Sequence, residues 1–230
     1  MMTQDEFSAP DPVAQSTPEP TTPRWVRKFL IPAAIGGVAG FAASFGMLRL
    51  IDSDAVGGLD DSASIAALVG AVYAVIGLGI SIGALSPQVG AKFLNVEDAD
   101  ELREQKKVLV LSGVAMLLWG VALVALALAA PDGPVPQGLA LIVGLSGLVI
   151  GTVMSVLIYR ASDELMLAVN LEAGALSYGL VFAVVGSWSV LAHLDYVAAL
   201  APLDLLTLFY VLVLVASFIA VGRRGMLEIR

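Results

Sequence analysis

Charged side chains are confined to short intervals along this chain. Between them lie six apolar stretches, at about 29–48, 62–85, 108–130, 138–159, 168–192 and 203–222. The first four carry no charge at all; Glu172 and Asp204 are the only ionised groups inside the last two. A helix crossing the hydrocarbon core of a bilayer needs about 20 predominantly apolar residues. Each stretch therefore predicts a membrane-spanning helix. None has a polar face to turn to water, as the outer helices of a soluble domain must. The expected fold is an all-α integral membrane protein of six transmembrane helices arranged as three hairpins.

The basic residues predict the orientation. Arg24, Arg27 and Lys28 precede the first span; Lys92, Arg103, Lys106 and Lys107 lie between the second and third; Arg160 follows the fourth; Arg223, Arg224 and Arg230 follow the sixth. With six spans all of these fall on one side, and only Arg49 falls on the other. Lysine and arginine are retained on the cytoplasmic side of such proteins, so both termini are expected inside. The opposite side carries Asp52, Asp54, Asp60, Asp61, Asp132, Asp195 and Asp204. The spacing of these acids matches no EF-hand loop, so they read as a solvated acidic face with no metal site.

Composition narrows the chemistry. The chain has 230 residues, 58% hydrophobic and 14% charged, with a formal net charge of −8. It has no cysteine and one histidine, His193, which leaves no thiol nucleophile, thiolate metal site or bis-histidine haem. No basic surface suits nucleic acid. No phosphate-binding loop, HExxH or nucleophile-elbow motif with a usable base is present, so neither an enzyme nor a cofactor is expected. The expected partners are the lipid bilayer and either other membrane proteins or a second copy of the chain.

Residues 1–23 form a separate zone in which Pro10, Pro12, Pro18, Pro20 and Pro23 alternate with polar and acidic residues, which predicts a disordered cytoplasmic tail ahead of a membrane domain at 24–230. The segment 131–137 reads as a turn. Between the second and third spans, Asn95 can cap a polar helix running directly into the third span.

Two segments share a layout. Asp100-Glu101-Leu102 opens a unit that closes at Arg160, and Asp163-Glu164-Leu165 opens one of the same length that closes at Arg223. Each runs from an acidic helix start through two spans to a basic stop, so 100–160 and 163–223 read as a duplicated hairpin. Charge preference at helix ends offers the alternative account.

The stretch Asp163–Ala173 reads DELMLAVNLEA and leads into a two-span hairpin ending at Arg223-Arg224. It resembles a set of small, uncharacterised bacterial membrane proteins with a DEL-type start and an LEA-type continuation. Asp163, Glu164, Leu165, Leu171, Glu172 and Ala173 carry the match over about the last third of the chain; Met166 and Leu167 stand where that set often has a basic residue. The resemblance implies a bacterial inner-membrane location and no particular activity.

Three kinds of residue are candidates for a role. Glu172 shares a stripe with Ala168, Ala175, Gly179, Ala183 and Gly186, which predicts that it faces the bundle. There it either fixes helix register through an ion pair, with Lys106, Lys107 or Arg160 as partner, or lines a cytoplasmic-side path in a small transporter or channel. Asn170 and Ser177 occupy the opposite stripe and can hydrogen-bond to another helix. Stripes containing Gly36 and Gly40, Gly70 and Gly77, and Gly144, Gly147 and Gly151, together with Gly179, predict close helix packing. The last span has few small residues and is expected to face lipid. The reading favours a non-catalytic helix-packing, accessory or assembly role.

Overall fold

A computed structural model describes residues 31–53, 59–86, 99–129 and 133–225. The N-terminal tail, the cluster Arg24, Arg27 and Lys28, the cap expected at Asn95 and the side chains of Asp100 to Glu104 lie outside the described residues, as do Asp54, Lys92, Asp132 and Arg230. The elements are α1 (Ile31–Ile51), α2 (Asp61–Leu85), α3 (Ala99–Ala127), α4 (Gln137–Ala161), α5 (Glu164–His193) and α6 (Pro202–Arg223). Each contains a segment long and apolar enough to cross a membrane, and no strand occurs among the described residues. The 21 residues of α1 span roughly 30 Å and the 30 residues of α5 roughly 45 Å at 1.5 Å per residue. Helix α3 is continuous from the polar segment at residue 99 into the apolar one.

Local chemistry sets several helix ends. The carboxylate of Asp60 accepts the Ala63 N–H at 2.7 Å and starts α2; Asp163 does the same for α5 through the Met166 N–H at 2.7 Å. Both satisfy an N–H that the helix cannot use internally. Helix α6 opens on Pro202, whose missing N–H costs nothing in the first turn. Asp204 accepts the Ala201 N–H at 3.2 Å and also a hydrogen bond from the Ser62 hydroxyl, which ties the start of α6 to the start of α2. The turn from α5 to α6 passes through Asp195 at φ 60°, a left-handed conformation that aspartate tolerates better than most residues. The Trp188 indole N–H closes that turn on the Ala198 carbonyl at 3.0 Å.

The tightest contact joins α2 and α3. Gly70 lies against Gly120 and Gly77 against Gly113, so the helices run in opposite directions with their backbones touching. A Cβ on Gly77 would stand 2.5 Å from the Gly113 carbonyl oxygen and from the Leu117 nitrogen; one on Gly120 would stand 2.5 Å from the Ala74 nitrogen and the Gly70 oxygen. No side chain fits there. Around these contacts the core is built of small residues, with Ala63, Ala66, Ala67, Ala122 and Ala127 buried beside Leu123. Small residues let helices approach in a bilayer, where van der Waals contact rather than water exclusion drives association.

The other helices are layered on this pair. Helix α4 rests on α3: a Cβ at Gly144 would meet Leu126 at 3.1 Å, Gly147 faces Ala122, and Gly151 lies under the Trp119 indole. Helix α6 meets this pair chiefly through α2. The Tyr73 hydroxyl donates to the Tyr210 carbonyl at 2.7 Å, and the two rings meet edge-on with centroids 5.1 Å apart. Among the described residues α1 packs mainly on α2, and α5 mainly on α6.

One expectation is corrected. The last span does not simply face lipid: Thr207, Tyr210, Leu212, Ala216 and Ala220 of α6 are buried. Phe209, Val213, Val215, Phe218 and Ile219 lie on the outer surface, while Leu203, Leu206 and Leu214 pack against the core beside the buried residues. Conversely Gly36, Gly40 and Gly179 meet nothing within 4 Å. No other described part of the chain reaches those faces. The large side chains around them are open as well, with Phe41 at 72% and Tyr178 at 74% exposure.

The contact geometry separates two classes of glycine. Gly120→Ala is expected to lower the stability of the detergent-solubilised protein by roughly 1–3 kcal/mol, because backbone rather than a flexible side chain must give way. Gly79→Ala, with nothing within 4 Å of the new Cβ, should be neutral or should gain up to about 1 kcal/mol from reduced backbone freedom. Thermal unfolding followed by circular dichroism measures both.

Candidate functional site

Glu172 lies two turns into α5, on the side facing α6. Its carboxylate accepts from Arg224 Nε at 2.8 Å, and Arg223 Nη1 stands 3.6 Å away. Arg224 Nη2 also reaches the Ala168 carbonyl, one turn earlier on α5, at 3.4 Å. The partners are thus the basic stop of α6 and not Lys106, Lys107 or Arg160. The reason is the packing order: α5 leans on α6, leaving no approach from α3 or the end of α4. The Glu172 side chain is 24% exposed and that of Arg224 33%, so the pair is partly solvated. It joins the beginning of one helix to the end of the next across an antiparallel contact, the geometry of a register clamp.

Asn170 and Ser177 separate. The Ser177 hydroxyl donates to the Ala173 carbonyl of its own helix at 2.7 Å and makes no cross-helix bond. Asn170 faces a cleft between α4 and α6, which have no substantial contact with one another. The cleft has two adjoining compartments, of about 350 and 230 Å³. Tyr73, Trp119 and Val213 line both. The larger compartment is lined on its polar side by Ser112 of α3, Ser155 and Tyr159 of α4, Asn170 of α5 and Ser217 of α6. The smaller is apolar apart from Thr152 and Tyr210, with Leu148, Leu206 and Phe209 as its walls.

Hydrogen-bond accounting divides the polar lining. Ser155 donates to the Gly151 carbonyl at 3.0 Å, Ser217 to Val213 at 2.8 Å and Thr152 to Leu148 at 2.7 Å, so all three are spent on their own helices. The Ser112 hydroxyl, the Tyr159 hydroxyl and the Asn170 amide have no partner among the described residues. Among the described residues neither Glu172 nor any other charged side chain lines the cleft. Among the described residues no group of three His, Asp or Glu side chains is placed to hold a metal ion.

The sequence reading missed the aromatic floor of this cleft. Tyr73, Trp119 and Tyr210 pack as one cluster, with Trp119 and Tyr210 ring centroids 6.4 Å apart. It also missed Gly113 and Gly120. A signal for those two exists: Gly70 and Gly77 are seven residues apart, as are Gly113 and Gly120, so the two pairs come into register when the helices run antiparallel. No family model, curated protein or solved structure matches this chain.

The clamp at Glu172 has an energetic signature. A double-mutant cycle on Glu172→Gln and Arg224→Gln should return a coupling of about 0.2–1 kcal/mol, as expected of a pair in contact with water, and it should weaken in high salt. The same cycle with Arg223, whose side chain is 64% exposed, should return less.

Proposed function

We propose that this chain is a non-catalytic, multi-pass membrane protein with an accessory or assembly role, in which α1 and α5 are the helices offered to other membrane helices. One observation carries the reading. Among the described side chains of α1 only Ile51 is buried, and on α5 only Val169. Yet both helices hold open glycines: Gly36, Gly37 and Gly40 on one, Gly174, Gly179 and Gly186 on the other. A helix lined with small residues gains close van der Waals contact from a neighbouring helix that lipid tails supply less well. The pairing of Glu172 with Arg224, outside the cleft, supports a register role for that carboxylate over a place on a transport path.

The orientation belongs to the same proposal. Six spans in three hairpins, with both termini cytoplasmic, put every lysine and arginine but Arg49 on the inner side. The resemblance of 163–173 to bacterial hairpin proteins supports a bacterial inner membrane as the location, and the even layout of 100–160 and 163–223 supports a duplicated hairpin.

Two experiments test this reading. A reporter fused after Arg230 should be active in the cytoplasm and silent outside it; the reverse result overturns the orientation. The chain has no cysteine, so single cysteines report contacts without interference. Val38→Cys and Tyr178→Cys, on the open faces of α1 and α5, should cross-link to a protein partner in native membranes more efficiently than Ile150→Cys on the outer face of α4. Equal, diffusion-limited cross-linking at all three positions removes the assembly role.

A further inference from the structure

Helix α5 carries a second copy of the surface by which α2 holds α3. Residues 70–77 of α2 read GAVYAVIG, and residues 179–186 of α5 read GLVFAVVG. Gly70, Ala74 and Gly77 are the residues of the first segment that meet α3, and all three recur, as Gly179, Ala183 and Gly186. Their surroundings differ. On α2 a Cβ at Gly77 would stand 2.5 Å from the Gly113 oxygen, and one at Gly70 would stand 2.8 Å from the Gly120 oxygen. On α5 Gly179 and Gly186 meet nothing within 4 Å, and Ala183 is exposed. Helix α1 stands in the same relation to α4. Gly147, Gly151, Ser155 and Arg160 of α4 recur at the same spacing as Gly36, Gly40, Ser44 and Arg49. Gly147 and Gly151 are seated on Ala122 and Trp119 of α3, whereas Gly36 and Gly40 are open. The two engaged faces hold one helix, α3, between them, and the two open faces repeat their sequence.

We infer that this face of α5 binds a transmembrane helix of another protein, antiparallel to α5, which presents two small residues seven positions apart to Gly179 and Gly186. The inference rests on the assembly reading and specifies its partner. The engaged copy supplies the occupant's chemistry. Helix α3 runs antiparallel to α2 and offers Gly113 and Gly120, seven positions apart. At 3.6 residues per turn that spacing returns to the same side of the helix, so both contacts form together. A Cβ on Gly113 would stand 2.7 Å from the Gly77 oxygen, so a larger residue there would push the backbones apart. Close van der Waals contact of this kind is what drives helices together in a bilayer. Helix α3 itself is not the occupant, because α2 and α4 already hold it. A second copy does not match either. Copies in one membrane share an orientation, and consecutive spans alternate in direction, so only α2, α4 and α6 of a neighbouring copy run against α5. Among the described residues none of these has two small residues seven apart on an open face. Their outward surfaces carry large side chains, Leu78 and Ile82 on α2, Ile142 and Val149 on α4, and Phe209 and Phe218 on α6.

The probe is a synthetic peptide of residues 105–129, the apolar part of α3, with an acceptor fluorophore at its amino end. It is reconstituted with the full chain in phosphatidylcholine vesicles. The chain has no cysteine, so a donor is attached at Leu165→Cys or at Leu194→Cys, exposed positions at the start of α5 and just past its end. Helix α5 has 30 residues, which puts the two donors roughly 45 Å apart. Antiparallel seating brings the amino end of the peptide to residue 194. Energy transfer is therefore expected to saturate with peptide and to be stronger from 194 than from 165. Gly179→Leu with Gly186→Leu should raise the half-saturating peptide-to-lipid ratio about tenfold, equivalent to about 1.4 kcal/mol, as overpacking a close contact does. Gly113→Leu with Gly120→Leu in the peptide should do the same. Both positions on α5 open into free space, so thermal unfolding of the substituted chain should be unchanged. Transfer that does not saturate, transfer equal from both donors or stronger from 165, or binding indifferent to the glycine substitutions overturns the inference. Saturable transfer between donor-labelled and acceptor-labelled full chains without peptide, lost on Gly179→Leu with Gly186→Leu, assigns the face to a second copy and overturns it as well. If the peptide does not bind while Tyr178→Cys still cross-links to a partner in native membranes, this inference falls and the assembly reading stands.

Discussion

Backbone contact between α2 and α3 is the constraint on which the rest of the bundle depends. With Gly70 on Gly120 and Gly77 on Gly113, the two helices come closer than any side chain would allow. Residues flanking those glycines cannot enter the contact and are carried to its edges. Tyr73 and Trp119 emerge on the same side, where both meet the ring of Tyr210. That aromatic cluster is the seat of α6, and the Tyr73 hydroxyl fixes it by donating to the Tyr210 carbonyl. The same cluster is the floor of the cleft. A close approach of two backbones thus determines where the third helix sits and where the cavity opens.

The layering that follows gives helices of similar composition different surroundings. Helix α4 takes its place through Gly144, Gly147 and Gly151 against the far side of α3, and α6 through Tyr210 against α2. The Trp119 indole lies against Gly151 of α4 on one side and the Tyr210 ring of α6 on the other, and the cleft opens over it. Helices α1 and α5 are peripheral: each packs mainly on one neighbour among the described residues, and each keeps most of its described side chains open.

Charged and strongly polar groups are used at the ends of this assembly. Asp60 and Asp163 cap helices, Asp204 joins the starts of α2 and α6 through Ser62, and Glu172 joins α5 to the end of α6 through Arg224. Each acid accepts from a donor that a helix terminus or a basic stop brings near, as helix-end electrostatics favour. These ties cost little desolvation because they lie where water reaches. Ser112, Tyr159 and Asn170, which have no such partner among the described residues, line the cleft and are half-buried or exposed.

The number, length and limits of the helices were legible in the order of residues. Apolar length, an aspartate cap such as Asp60 or Asp163, and a proline such as Pro202 act through contiguous residues, so reading along the chain is enough. The polar segment that continues into α3 was legible for the same reason. Which faces are buried was not. Gly36 with Gly40 and Gly70 with Gly77 are equivalent as patterns, but only the second pair meets another backbone. In a bilayer lipid and protein interiors are equally apolar, so composition does not distinguish a face turned to one from a face turned to the other. The partner of Glu172, the burial of α6 and the meeting of Tyr73, Trp119 and Tyr210 depend on contacts between residues far apart in the chain. Those contacts were decided by which helix surfaces could approach most closely, and that is a property of the assembled bundle.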